Sequence, residues 1–87
     1  MTDYNAIEAQ IRETKQAYVH DVLDIIGRED VKMKDLAEAC GFSKQHLSIA
    51  LYHNENSTLH TLCRIAFGLG YRARIVLEPI REEKKDA

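Results

Sequence analysis

Cysteine occurs twice in the 87 residues, proline once and tryptophan not at all. Two cysteines cannot build a multi-bridge scaffold. Cys40 and Cys63 both fall on apolar positions of predicted helices, so buried free thiols are expected of both. No apolar run is long enough to span a bilayer, and no basic-then-apolar leader pattern opens the chain, so the expected place is the cytoplasm, with no membrane partner. The chain also has no nucleophile–base set, no phosphate-cradling glycine loop and no metal framework. His60 and Cys63 sit three apart, but one such pair without a second cluster does not make a metal site. An enzyme is not expected, nor is a cofactor.

There is no excess of positive charge either. Twelve Lys and Arg stand against fourteen Asp and Glu, a net charge of −2. The distribution is more informative than the sum. Residues 1–31 hold seven carboxylates against three cations, a net of −4; residues 32–77 hold six cations against three carboxylates, a net of +3; residues 78–87 come to −1. The central segment also carries His46, His53 and His60.

What is present is helical periodicity. Hydrophobic residues make up 45% of the chain, enough for one small domain and too many for disorder. Tyr4, Ile7, Ile11, Tyr18, Val22, Leu23, Ile25 and Ile26 trace a wandering apolar stripe over 3–26, read as one bent helix or two, because Thr14 and Lys15 interrupt it. Thr2 or Asp3 can cap its start and Gly27 fits its stop. His20 and Asp24 on this helix are expected to form a surface ion pair. Segment 1–30 should pack on the rest of the domain.

The stretch 31–53, VKMKDLAEACGFSKQHLSIALYH, reads as two short helices and a tight turn. Leu36, Ala37 and Cys40 share a face of the first; Leu47, Ala50 and Leu51 share a face of the second. Gly41 supplies the positive φ the corner needs, Phe42 fills it, and Ser43 caps the second helix. Ala37 is small enough to let a crossing helix approach. This pattern predicts a helix-turn-helix, whose usual task is to lay its second helix in the DNA major groove.

A polar loop, 53–57, follows. Ser57 or Thr58 then caps a helix over 59–69 with a stripe of Leu59, Leu62, Cys63, Ile65, Ala66 and Leu69, ended by Gly70. Over 71–78 the period changes to two: Tyr71, Ala73, Ile75 and Leu77 alternate with Arg72, Arg74 and Glu78, a strand signal that Pro79 ends. A lone strand needs a partner for its backbone groups, and no second strand is legible. The expected partner is the same strand of another copy, paired about a two-fold axis through Tyr71, Ala73, Ile75 and Leu77. The domain organisation is therefore 1–30 as an amphipathic segment, 31–70 as the core, 71–80 as the dimerisation strand and 81–87 as a charged tail.

From Val31 onward the sequence resembles the lambda-repressor-like, Cro/cI-type (XRE) family. The matching positions are Leu36-Ala37, Gly41, Ser43, Leu47-Ser48, and the pattern Thr58-Leu59-x-Thr61-Leu62-x-x-Ile65-Ala66-x-x-Leu69-Gly70-Tyr71. With a first helix ending near Gly27, the resemblance covers about 18–71. The strand after the last helix is further similar to HipB- and HigA-type antitoxins. The resemblance implies a mostly α bundle of four to five helices with one C-terminal β-strand paired across a dimer.

It also implies a recognition helix from Ser43 or Lys44 to Tyr52. Carried over by position, Lys44, Gln45, His46 and Ile49 face base edges, while Lys34, Ser43, Asn54 and Asn56 contact phosphate. The chain departs from the family at Met33, where a glutamine often grips phosphate, so Lys32 or Lys34 would take over. It departs again at His53 or Asn54, where glycine is usual. The helix starts near Met33 and Thr58 would add backbone N–H donors. The implied function is a sequence-specific, homodimeric transcriptional regulator, a repressor, reading an inverted repeat in double-stranded DNA. An antitoxin that also holds a toxin protein, or an interaction module that has lost DNA binding, are the other two readings.

Overall fold

The computed structural model describes residues 2–53 and 58–80. It holds four helices: α1 (Tyr4–Arg28), α2 (Met33–Cys40), α3 (Lys44–Tyr52) and α4 (Leu59–Gly68). The interrupted stripe at the N-terminus is one helix. Asp3 caps it, its carboxylate accepting from the Ala6 amide at 3.0 Å. Gly27 does not stop it: the helix runs on to Arg28, and the left-handed turn is taken by Asp30, at φ 54°. Aspartate is among the few residues that tolerate this region. The Val31 amide then reaches back to the Ile26 carbonyl at 2.9 Å.

The same ending recurs twice with glycine in the left-handed position. Gly41 sits at φ 80° and the Phe42 amide donates to Ala37 O; Gly70 sits at φ 85° and the Tyr71 amide donates to Ala66 O. These are Schellman closures, which satisfy carbonyls the helix leaves open. Each delivers an apolar residue (Val31, Phe42, Tyr71) just past the turn.

Ten apolar residues are buried among those described, drawn from all four helices and the Phe42 corner, and Leu36, Leu47, Leu51 and Ile65 are fully enclosed. From α1 only the second half joins them. Val22 is buried, and Tyr18 and Ile26 pack against the core. The Tyr18 hydroxyl donates to the Leu62 carbonyl, and burial pushes its phenol up to about 12, so it stays neutral at every ordinary pH. Tyr4, Ile7 and Ile11 are exposed. The packing expected of 1–30 is thus confined to its C-terminal half.

The close helix approach lies at Gly68 rather than through Ala37 alone. A Cβ built on Gly68 would lie 2.6 Å from Cys40 Sγ, 3.2 Å from Leu36 Cδ1 and 3.3 Å from the Cys40 backbone nitrogen. A glycine that lowers helix propensity is what lets α4 touch α2. Gly68→Ala should therefore destabilise despite a propensity gain of about 1 kcal/mol. The overpacking term is about 1–3 kcal/mol, so a net loss is expected in urea melts. A gain in stability would mean the two helices separate freely.

Three further expectations fail. The strand at 71–78 is absent: no strand occurs among the described residues, and 71–80 carries no regular structure. A strand exists only through a ladder, and no other strand lies among the described residues to pair with it. Nor is one face selected: Ile75, Val76 and Leu77 are 72%, 69% and 91% exposed, regardless of parity. Cys63 is exposed, not buried. α4 is apolar nearly all round, so its period does not reveal which side faces inward; Ile65 and Ala66 are buried, whereas Leu59, Cys63 and Phe67 are exposed. Asp24 pairs with Arg28 at 2.6 Å, one turn on, and His20 lies 3.9 Å from Asp21 instead.

Candidate nucleic-acid interface

Helix α3 is fixed from inside. Leu47, Ala50 and Leu51 are buried, and Ser43 caps the first turn, its hydroxyl oxygen accepting from the His46 amide at 3.0 Å. The 3.6-residue period then forces Lys44, Gln45, His46 and Ile49 outward, and all four are exposed. Ile49 is an aliphatic side chain with 47% of its surface exposed. The four together present a cation, an amide able to pair bidentately, an imidazole and a methyl-bearing group.

The corner before α3 is held by a residue the sequence reading passed over. Arg64 reaches from α4 and donates through Nε to Cys40 O at 3.0 Å and through Nη2 to Gly41 O at 3.2 Å. Its guanidinium carbon lies 4.4 Å from the centroid of the Phe42 ring. The His46 ring sits 4.3 Å from the same ring, tilted by 39°. Arg64 thus places a cation where the carbonyls ending α2 carry partial negative charge. His46, expected at a base edge, is also part of the corner packing. The one sequence signal for Arg64 was a lone cation in an otherwise apolar helix. Burial pushes the Cys40 thiol up, and Arg64 pulls it partly back.

The residues expected at phosphate are less uniform. Lys32 and Lys34 are exposed at the start of α2, where no side chain caps the helix. The amides there face outward with two cations nearby, which suits an anion, but Asp35 in the same turn opposes one. Met33 packs against the core, as a side chain without a donor should. Ser43 uses an acceptor in its cap and keeps its O–H as a donor. Thr58 accepts from the Thr61 amide at 3.2 Å and donates to the Thr61 hydroxyl at 3.3 Å, so its proton is already committed. Asn54 and Asn56 lie outside the described residues. No family model, curated protein or solved structure matches this chain.

Of the residues expected at a dimer contact, Tyr71 is tied to its own chain. Its hydroxyl donates to Glu29 Oε2 at 2.5 Å and accepts from Arg28 Nη2 at 3.5 Å, joining the end of α1 to the segment after α4. Ala73 is half-buried; Ile75 and Leu77 are exposed. No described helix is long and apolar enough to cross a membrane.

Proposed function

We propose that the chain is a sequence-specific, double-stranded DNA-binding transcriptional regulator, working as a homodimeric repressor. The observation that carries this reading is α3: a capped helix anchored on one side by Leu47, Ala50 and Leu51 and presenting Lys44, Gln45, His46 and Ile49 on the other. Occupying an operator needs no cofactor. Lys44 suits guanine O6 and N7 or a phosphate, Gln45 suits adenine, and Ile49 suits a thymine methyl. Lys32, Lys34 and Ser43 set the register on the backbone.

The test is selection from a random duplex library at moderate salt, followed by sequencing. An enriched inverted repeat is the expected result; a folded protein that enriches nothing sinks the reading. Gln45→Ala should then cost about 1–3 kcal/mol at one base position and relax specificity there, measured by competition between single-base variants of the selected site. Uniform weakening across all sites would remove Gln45 as a base reader. Affinity should also fall steeply with added salt if several phosphates are neutralised.

A second reading rests on the bare first half of α1, where Tyr4, Ile7 and Ile11 are exposed beside Asp3, Glu8 and Glu13. Such a face suits a protein partner, as in an antitoxin that represses its own promoter while holding a toxin.

A further inference from the structure

Helix α4 has an outward face that stays exposed among the described residues. Leu59, Cys63 and Phe67 lie one turn apart along it, all exposed, and Phe67 is 78% bare. The only Lys, Arg, Asp or Glu between 59 and 71 is Arg64, and its guanidinium is turned to the Cys40 and Gly41 carbonyls. The face is therefore apolar without a fixed charge. Beside it lies an open depression of about 460 Å³, lined by Cys63, Phe67, Gly70, Tyr71, Arg72 and Ala73. It joins the α4 face to the exposed segment that follows.

We propose that this face is where a second copy of the chain docks, with the two α4 helices antiparallel across a two-fold axis that passes near Cys63. The proposal deepens the homodimer of the preceding reading and does not rest on DNA binding. Four observations favour this occupant. At a two-fold axis every residue meets a symmetric surface, so a face is self-compatible only if it does not repel itself; an uncharged stripe meets that condition. The stripe is also symmetric about its middle: when two copies run antiparallel, Leu59 of each lies against Phe67 of the other and Cys63 lies against Cys63. The protruding Phe67 and the depression beside it supply a knob and a hole on one surface, with Arg72 at the rim to meet an aromatic face.

Area is the fourth. Leu59, Phe67, Ile75, Val76, Leu77 and Ile80 are each more than half exposed. Together these side chains of α4 and the segment after it expose on the order of 700 Å², close to the share of about 800 Å² that each partner gives to a stable interface.

The experiment uses the full chain without DNA. Sedimentation equilibrium should show a dimer, and a short bismaleimide should join two copies. Cys63→Ser should abolish the cross-link, because the remaining Cys40 is buried. Phe67→Asp, at an exposed position, should keep the helical circular dichroism and raise the dimer dissociation constant roughly 30-fold or more, the loss expected of a central aromatic. A monomeric wild type, a dimer that Phe67→Asp leaves intact, or a dimer whose Cys63 does not cross-link would each overturn the proposal. A confirmed dimer that selects no DNA sequence would sink the regulator reading and leave this one standing.

Discussion

Leu47→Ala should remove about 2–5 kcal/mol of folding free energy. Leu47 has no exposed surface, and it lies on the inner side of α3 between the caps that position the helix. Deleting most of its side chain leaves a void that helices closed by short, hydrogen-bonded turns cannot easily collapse. An 87-residue domain has a total stability of roughly 4–13 kcal/mol, so the loss is a large fraction of the whole. Urea melts at fixed protein concentration give the number, since a dimer's stability rises with concentration. Gln45→Ala, two residues away on the outer side, should change stability by no more than about 0.5 kcal/mol. The pair separates the inner side of α3, which anchors the helix, from its outer side, which does not: the first variant loses stability, the second keeps it. A loss below about 1 kcal/mol for Leu47→Ala would mean that α3 is not anchored as described.

The parts of the fold that local chemistry dictates were legible in advance. Ser43 and Thr58 cap α3 and α4, and Gly41 and Gly70 take the left-handed turns. Each is a bond or a φ decided within a few residues, so the sequence carries it directly. What failed depended on the rest of the molecule. Gly27 looked like a helix stop because glycine often is one, but Asp30 could take the turn three residues later, and the packing of Val22 and Ile26 favours the longer helix. Cys63 looked buried because α4 is apolar on nearly every side, so the pattern could not choose a face. The alternation at 71–78 promised a strand, yet a strand needs a neighbour, and the described residues hold none. At the candidate site, the set on α3 was what the resemblance implied by position, and the helical period leaves all four of those residues exposed. The Arg64–Phe42–His46 stack was not legible in the sequence, because it joins residues brought together only when α4 crosses α2.

That stack makes the corner testable. Gly41→Ala should cost about 2–4 kcal/mol, whereas Gly70→Ala should cost only about 1–2 kcal/mol. Both glycines sit in the left-handed region, at φ 80° and φ 85°, so the backbone penalty is shared. Their surroundings differ. A Cβ at Gly70 meets nothing within 4 Å; one at Gly41 would lie 2.5 Å from Arg64 Nη2. The guanidinium can swing away, since it is the end of a flexible side chain, but it then gives up its bonds to Cys40 O and Gly41 O and its place over Phe42. The excess cost at Gly41 is the worth of those contacts. A double-mutant cycle isolates it: in an Arg64→Met background, Gly41→Ala should fall to the cost seen at Gly70. If the cost stays high without Arg64, the strain is all in the backbone, and the arginine does not hold the corner. If it falls, α4 reaches through Arg64 and Phe42 to His46, and the angle at which α3 leaves α2 is set in part from outside the two helices themselves.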